Sequence, residues 1–242
     1  MTTNKFISVG IPTFNSSKYL KECLDSIRGS KLINEILVSD DSSNESELFK
    51  IKEIISIYKS KYLLNIGFFE SKKNMGAYKN KLKLIKNSNN EYIYILDSDN
   101  LASKNLDSVI NKVLEIDNPE FLYQPNIMYQ FWKNPKFAKL MSRFDRKYIV
   151  KFFNKDFVLD KSIVKNFLLF NSGDYNLNEF TDDLPKIEKT EIQMIDKWIF
   201  WILNCGNFIV NKDYMLPIAN EGLEIDRKHL SVDAIVFSYL WL

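Results

Sequence analysis

The chain is poor in the residue types on which several common chemistries depend. Its 242 residues include two cysteines, Cys23 and Cys205. That is too few for a disulfide scaffold or a thiolate zinc cluster, so a reduced setting and core packing are expected for both. His229 is the single histidine, with no partner motif around it, which leaves imidazole acid–base chemistry without a second member. A net charge of +2 gives no support to the strongly basic footprint of a nucleic-acid-binding chain. No apolar run approaches the roughly 18 residues that a membrane span requires, and the opening MTTNKFISVGIPTF lacks the apolar stretch of a signal peptide. The expectation is a cytoplasmic protein, with peripheral contact at the inner face of a membrane left open. Also missing is a glycine-rich phosphate loop or a Gly-x-Gly-x-x-Gly after the first apolar stretch, where GIPTFNSS stands instead. Nucleotidyl transfer and dinucleotide-dependent redox are disfavoured on that ground.

What is present is a regular alternation in the first half. FISVGIP (6–12) reads as a buried strand, and the helix after it carries Tyr19, Leu20, Cys23, Leu24 and Ile27 on one face up to Gly29. NEILVSDDSSN (34–44) is a second strand running into a polar turn, followed by a helix with Leu48, Ile51, Ile54, Ile55 and Tyr58. LLNIGFFES reads as a third strand, MGAYKNKLKLIKNS as a helix using Met75, Tyr78, Leu82 and Ile85, and EYIYILDSDN as a fourth strand. Strand and helix in turn imply right-handed crossovers and an α/β fold with a mainly parallel sheet. Ligands of open parallel sheets gather beyond the carboxyl ends of the strands. Three polar clusters fall there: PTFN (12–15), DDSS (40–43) and DSDN (97–100).

From about Asn118 the alternation fails and aromatic-rich, irregular sequence follows. We read residues 1–117 as a ligand-binding half and 118–242 as an extension that completes the same single domain and builds the other wall of its crevice. Lys72, Lys73, Lys79, Lys81, Lys83 and Lys86 read as a solvated helix face. Trp198, Phe200, Trp201 and Phe208 read as core.

Asp97 and Asp99 stand at i and i+2 on a turn leaving a strand, where they can swing toward one ligand. Hard cations such as Mg²⁺ or Mn²⁺ take oxygen donors, often one or two protein carboxylates with water and substrate phosphate completing the shell. A lone Asp-x-Asp turn equally suits capping of the next helix, with Asn100 or Ser103 as the N-cap.

Read together, VGIPTFNSSKYLKECLDSI, ILVSDDSSN, NMGAYKN and YIYILDSDN resemble, in order and spacing, the nucleotide-sugar half of family 2 glycosyltransferases, which have the GT-A fold; the resemblance covers roughly the first 115 residues. It implies that Pro12 and Phe14, with Thr13 and Asn15 in the same segment, line a nucleotide pocket. It implies that Asp41, supported by Asp40, accepts a hydrogen bond from the base, most often uracil. Asn74 and Gly76 match the segment that closes on the nucleotide and lets a helix N-terminus approach phosphate. Asp97, with Ser98 beside it, would face the ribose or sugar and share in metal binding, while Asp99 is the direct ligand of Mn²⁺ or Mg²⁺. Ser42 stands where the family commonly has glycine, and Asn100 where a third aspartate is frequent.

The second half resembles the family more faintly. FNSGDYNLNEF is similar to its acceptor-side segment, with Asp174 where asparagine is usual, and DKWIFWILNCG to a late helix whose first acid is the general base. That makes Asp196 the candidate base and Asp174 the next choice; an aspartate starting a helix also suits the dipole alone. Ile202 stands where many relatives have arginine. The resemblance thus implies an inverting, metal-dependent hexosyl- or N-acetylhexosaminyltransferase, with a UDP-sugar donor and a saccharide or lipid-linked saccharide acceptor in surface polysaccharide or glycolipid assembly. A degenerate protein that binds a sugar nucleotide without turnover is the alternative.

Overall fold

The computed structural model describes residues 5–102, 104–120, 123 and 207–221. All of these belong to one compact unit, Met1–Tyr123 with Leu203–Trp241; Gln124–Ile202 and Leu242 make up a second unit that contains none of them. The elements run β1 (Ile7–Thr13), α1 (Ser17–Ile27), β2 (Ile33–Asp40), α2 (Glu45–Tyr62), β3 (Ile66–Glu70), α3 (Ala77–Asn87), β4 (Tyr92–Ile95), α4 (Leu106–Ile116), β5 (Phe208–Asn211) and α5 (Lys212–Glu221).

The five strands form one sheet in the order β3-β2-β1-β4-β5. β1 to β4 pair in parallel, and β5 runs antiparallel to β4 with Ile95 opposite Phe208. β1 and β4 are near-continuous apolar runs because both faces are covered, as parallel strands require. On one face Ile7, Val9 and Ile11 of β1 join Leu20, Cys23, Leu24 and Ile27 of α1, Ile51, Ile55 and Tyr58 of α2 and Ile110 of α4 in a single cluster. Alternation along β1 turns Gly10 to the other face, where α3 lies so close that a Cβ on Gly10 would stand 3.0–3.1 Å from Ile95, Ile93 and Leu84. α5 packs beside α3, and the buried Tyr78 hydroxyl donates to the Ala219 carbonyl (2.6 Å). β5 closes the sheet with residues from well beyond position 118, and its far side is covered by Tyr123, whose backbone bonds that of Ile209.

The helix starts also tie neighbouring elements together. Asn44 caps α2 by accepting from Glu47 N (3.0 Å), and the Glu47 carboxylate accepts from Ser17 N at the head of α1 (3.1 Å). Asn105, rather than Asn100 or Ser103, is the N-cap of α4, so the acidic turn after β4 is not spent on starting that helix. No helix among the described residues is long and apolar enough to cross a membrane.

Two outcomes follow from this packing. Gly10→Ala forces its methyl against Leu84 Cβ, an overpacking cost of about 1–3 kcal/mol that outweighs the roughly 0.4–1 kcal/mol gained by stiffening the unfolded chain. Gly29→Ala, which meets nothing within 4 Å, keeps that small gain; urea unfolding of both variants checks the contrast. The Ser17 hydroxyl and amide, with Lys50, hold the Glu47 carboxyl down from 4.5 to about 2. A depressed carboxyl contributes stability that is present above its unfolded value and lost as pH falls through the folded one. Glu47→Gln is therefore expected to unfold earlier than the parent at pH 6, with the gap closing between about pH 4.5 and 2 in thermal melts.

Candidate functional site

The topology brings the carboxyl ends of β2, β1 and β4 side by side, and β1, with β2 on one side and β4 on the other, is where the strand order reverses. Each strand ends in one of the polar clusters. At the end of β1, Thr13 is buried and its hydroxyl donates to Asp40 Oδ1 (3.1 Å), while Pro12 is half-buried and Phe14 is 51 % exposed. Asn15 turns the chain with φ 49°. Its backbone N–H donates to the Ser43 hydroxyl (2.8 Å), and its Oδ1 accepts from Asn44 N and Nδ2 at 3.0 Å each.

At the end of β2, Asp40 is fully buried and accepts from Thr13, Ser43 N and the Ser43 hydroxyl. Its charge is therefore held by neutral donors, as a buried carboxylate requires. Ser42 takes φ 68°, the left-handed region in which glycine is favoured. Asp41 is buried too. Its two carboxylate oxygens accept from Met75 N and Gly76 N, both at 2.8 Å, just before the first turn of α3. The α3 N-terminus thus already has an anion on it, supplied by the neighbouring strand. Gly76, at φ 89°, makes that approach possible, and Asn74 accepts from its N–H at 3.1 Å.

At the end of β4, the side chain of Asp97 is 26 % exposed and its Oδ1 lies 2.8 Å from Lys81 Nζ, whose own side chain is only 3 % exposed. This corrects the reading of Lys81 as part of a solvated face. Lys81 follows Tyr78 by three residues and precedes Ile85 by four, so it sits on the buried face of α3 and delivers its ammonium to the acidic turn. Asp97 N donates to Asn207 Oδ1 (3.0 Å), and the buried Ser98 hydroxyl donates to Ser16 (2.8 Å). Asp99 is exposed, with no hydrogen bond or ion pair to its carboxylate among the described residues. Burial, with the negative charges of Asp97 and Asp99 nearby, pushes the Cys23 thiol well up, so Cys23 stays a protonated core residue.

Asp41, Thr13, Gly76, Asp97 and Ser98 therefore lie on connected elements of one mouth: Asp41 N donates to Thr13 O (2.9 Å), α3 links Asp41 to Asp97 through Lys81, and Ser16 links β1's turn to Ser98. Asp174, Asp196, Ile202, Cys205 and His229 lie outside the described residues. Asn207 has no place among the sequence candidates, because its position depends on long-range antiparallel pairing; Lys81 is among them only as a solvated lysine, although its inward helical position is a signal of its buried role.

Among the described residues no three His, Cys, Asp or Glu side chains gather as a metal cage. The donor set suits a different arrangement. One exposed carboxylate, Asp99, beside a second already neutralised by Lys81, fits a hard cation that draws its remaining oxygens from water and from a ligand's phosphates.

The comparisons with known proteins agree with this architecture. The family model for glycosyl transferase family 2 matches residues 8–183. Abequosyltransferase RfbV of Salmonella typhimurium is 30 % identical over 112 residues, 45 % of this chain and 32 % of that protein. The SPbeta prophage-derived glycosyltransferase SunS of Bacillus subtilis is 34 % identical over 110 residues, 46 % of this chain and 24 % of that protein. The matches thus span less than a third of the length of either relative. Among solved structures, S. aureus TarS 1-349 superposes with a TM-score of 0.53 at 17 % identity, covering 98 % of this chain and 55 % of that one, and the same protein with UDP gives 0.54 at 17 % identity over 96 % and 54 %. These are GT-A folds, and the mostly parallel five-stranded sheet with helices on both faces is the same architecture. On the family match across residues 8–183, the chain belongs to glycosyl transferase family 2.

Proposed function

We propose that the chain transfers a sugar from a nucleoside diphosphate donor, UDP by preference, to a hydroxyl of a saccharide or lipid-linked saccharide, with a divalent cation and with inversion at the anomeric carbon. We place this activity on the cytoplasmic side, with residues 118–242 supplying the acceptor side. The observation that carries the reading is the exposed carboxylate of Asp99 at the end of β4, next to an Asp97 whose charge Lys81 already balances. The TarS structure that shares the fold holds UDP, the class of ligand proposed here.

Phe14, exposed beside the buried Thr13 and Asp40, offers a flat apolar face to the base. Asp41 keeps lone pairs beyond those given to Met75 N and Gly76 N, and one of them accepts the base N–H. Pro12, Thr13 and Asn15 hold the wall behind the base, and Asp97 with Ser98 faces the ribose or sugar. Asp99 would hold Mn²⁺ or Mg²⁺, which when bound supplies a positive charge for the pyrophosphate leaving group. Asp196, or Asp174 in its place, takes the proton of the acceptor hydroxyl on the face opposite the leaving group, which requires inversion.

Thermal shift with UDP, GDP and ADP, each with and without Mn²⁺, tests the reading. A ligand at a hundred times its Kd adds about 2.7 kcal/mol to stability. UDP is expected to raise Tm most and Mn²⁺ to enlarge the rise, with that metal-dependent increment lost in Asp99→Ala. Equal shifts for the parent and Asp99→Ala would remove Asp99 from the site.

A further inference from the structure

Asn207 stands immediately before β5 and is buried. Because Ile95 pairs with Phe208 in the antiparallel register, Asn207 comes alongside the start of the turn that carries the acidic residues. Its Oδ1 accepts from two donors of that turn, Asp97 N at 3.0 Å and Asn100 Nδ2 at 3.2 Å. The chemistry fixes which way the carboxamide faces. A backbone N–H can only donate, so Asn207 must present oxygen to Asp97, and the second lone pair of that oxygen then calls for another donor. The amide of Asn100 provides one. An aspartate at 100 would instead set a carboxylate against the same oxygen.

The turn is closed on itself as well, since Asn100 N donates to Asp97 O (2.9 Å). Asp99 lies inside this closed loop. Lys81 holds Asp97, Ser16 holds Ser98 and Asn207 holds both ends, leaving Asp99 as the side chain of the turn with no tie among the described residues.

We propose that Asn207 is a positioning residue for Asp99, and that Asn100 and Asn207 form a matched pair clamping the 97–100 turn from the edge of β5. The carboxylate then meets a cation from a turn already in its bound shape. The role in metal binding rests on the nucleotide-sugar reading above; the clamp itself does not.

Two measurements on the full chain test the proposal. The first needs no ligand: urea midpoints of Asn100→Ala, Asn207→Ala and the double variant. A shared bond predicts that the double variant loses no more stability than Asn207→Ala alone, and additive losses would overturn the clamp. The second follows free Mn²⁺ by electron paramagnetic resonance in the presence of saturating UDP. Asn207→Ala is expected to weaken Mn²⁺ binding about tenfold to a hundredfold, and Asn207→Asp, which keeps the acceptor oxygen, to restore it to within about threefold of the parent. Asn100→Asp is expected to weaken Mn²⁺ binding in the parent but not further in Asn207→Ala. Parent-like Mn²⁺ affinity in a folded Asn207→Ala would overturn the positioning role. Should Asn207→Ala not fold, Asn100→Ala at its half-buried position carries the test, with at least a threefold loss expected and parent-like affinity counting against the role. A parent chain that binds no Mn²⁺ with UDP would overturn the nucleotide-sugar reading and the positioning role with it, while the urea midpoints still decide the clamp.

Discussion

Parallel pairing of β1 with β2 on one side and β4 on the other fixes where every polar residue of the site can be. Parallel strands all end at the same edge, so three turns carrying Asn15, Asp40, Asp41, Asp97 and Asp99 must share one small region beyond the sheet. That arrangement is costly unless each charge has a partner, because carboxylates brought together out of water repel one another and lose hydration. The rest of the site can be read as the solution to that crowding.

Each carboxylate is answered differently. Asp40, fully buried, takes neutral donors from Thr13 and Ser43. Asp41 takes two backbone N–H groups ahead of α3, where the positive end of the helix favours an anion. Asp97 takes the buried ammonium of Lys81. Lys81 loses its water while Asp97 stays partly exposed, so removing Asp97 would leave a buried ammonium without its partner, which is expensive. The pair's consequence is local: with three carboxylates satisfied by the protein, the carboxylate left without a partner among the described residues is Asp99, exposed on the turn. Under the proposed function, a cation drawn to this mouth would meet the Asp99 carboxylate, which has no partner among the described residues.

The sequence made some of this legible and hid the rest for physical reasons. FISVGIP and EYIYI announce buried parallel strands because both faces of each are covered, so the apolar run is nearly unbroken. The spacing of Leu20, Cys23, Leu24 and Ile27 is the inward face of α1 as found. Lys81 reads as solvated because a lysine counts as polar in any periodic pattern, although its place between Tyr78 and Ile85 marks an inward position. Ser42, a residue type that rarely takes positive φ, sits in the left-handed region at φ 68°, which the sequence does not signal. Asn207 carried no signal at all, since β5 joins the sheet by pairing with β4 across more than a hundred residues of chain, and short local patterns do not report such a partner. Asn100 was visible as a departure from the family's pattern, but its meaning appears only once Asn207 is beside it.

With Lys81 balancing Asp97, Asp99 is the carboxylate left for the cation proposed above. Crystals grown with UDP and Mn²⁺, with anomalous scattering used to locate the metal, test this assignment most directly. A manganese peak is expected within about 2.0–2.6 Å of an Asp99 oxygen and of pyrophosphate oxygens, with the Lys81–Asp97 pair intact. A peak away from Asp99, or one reached by Asp97 only after it has parted from Lys81, would contradict it.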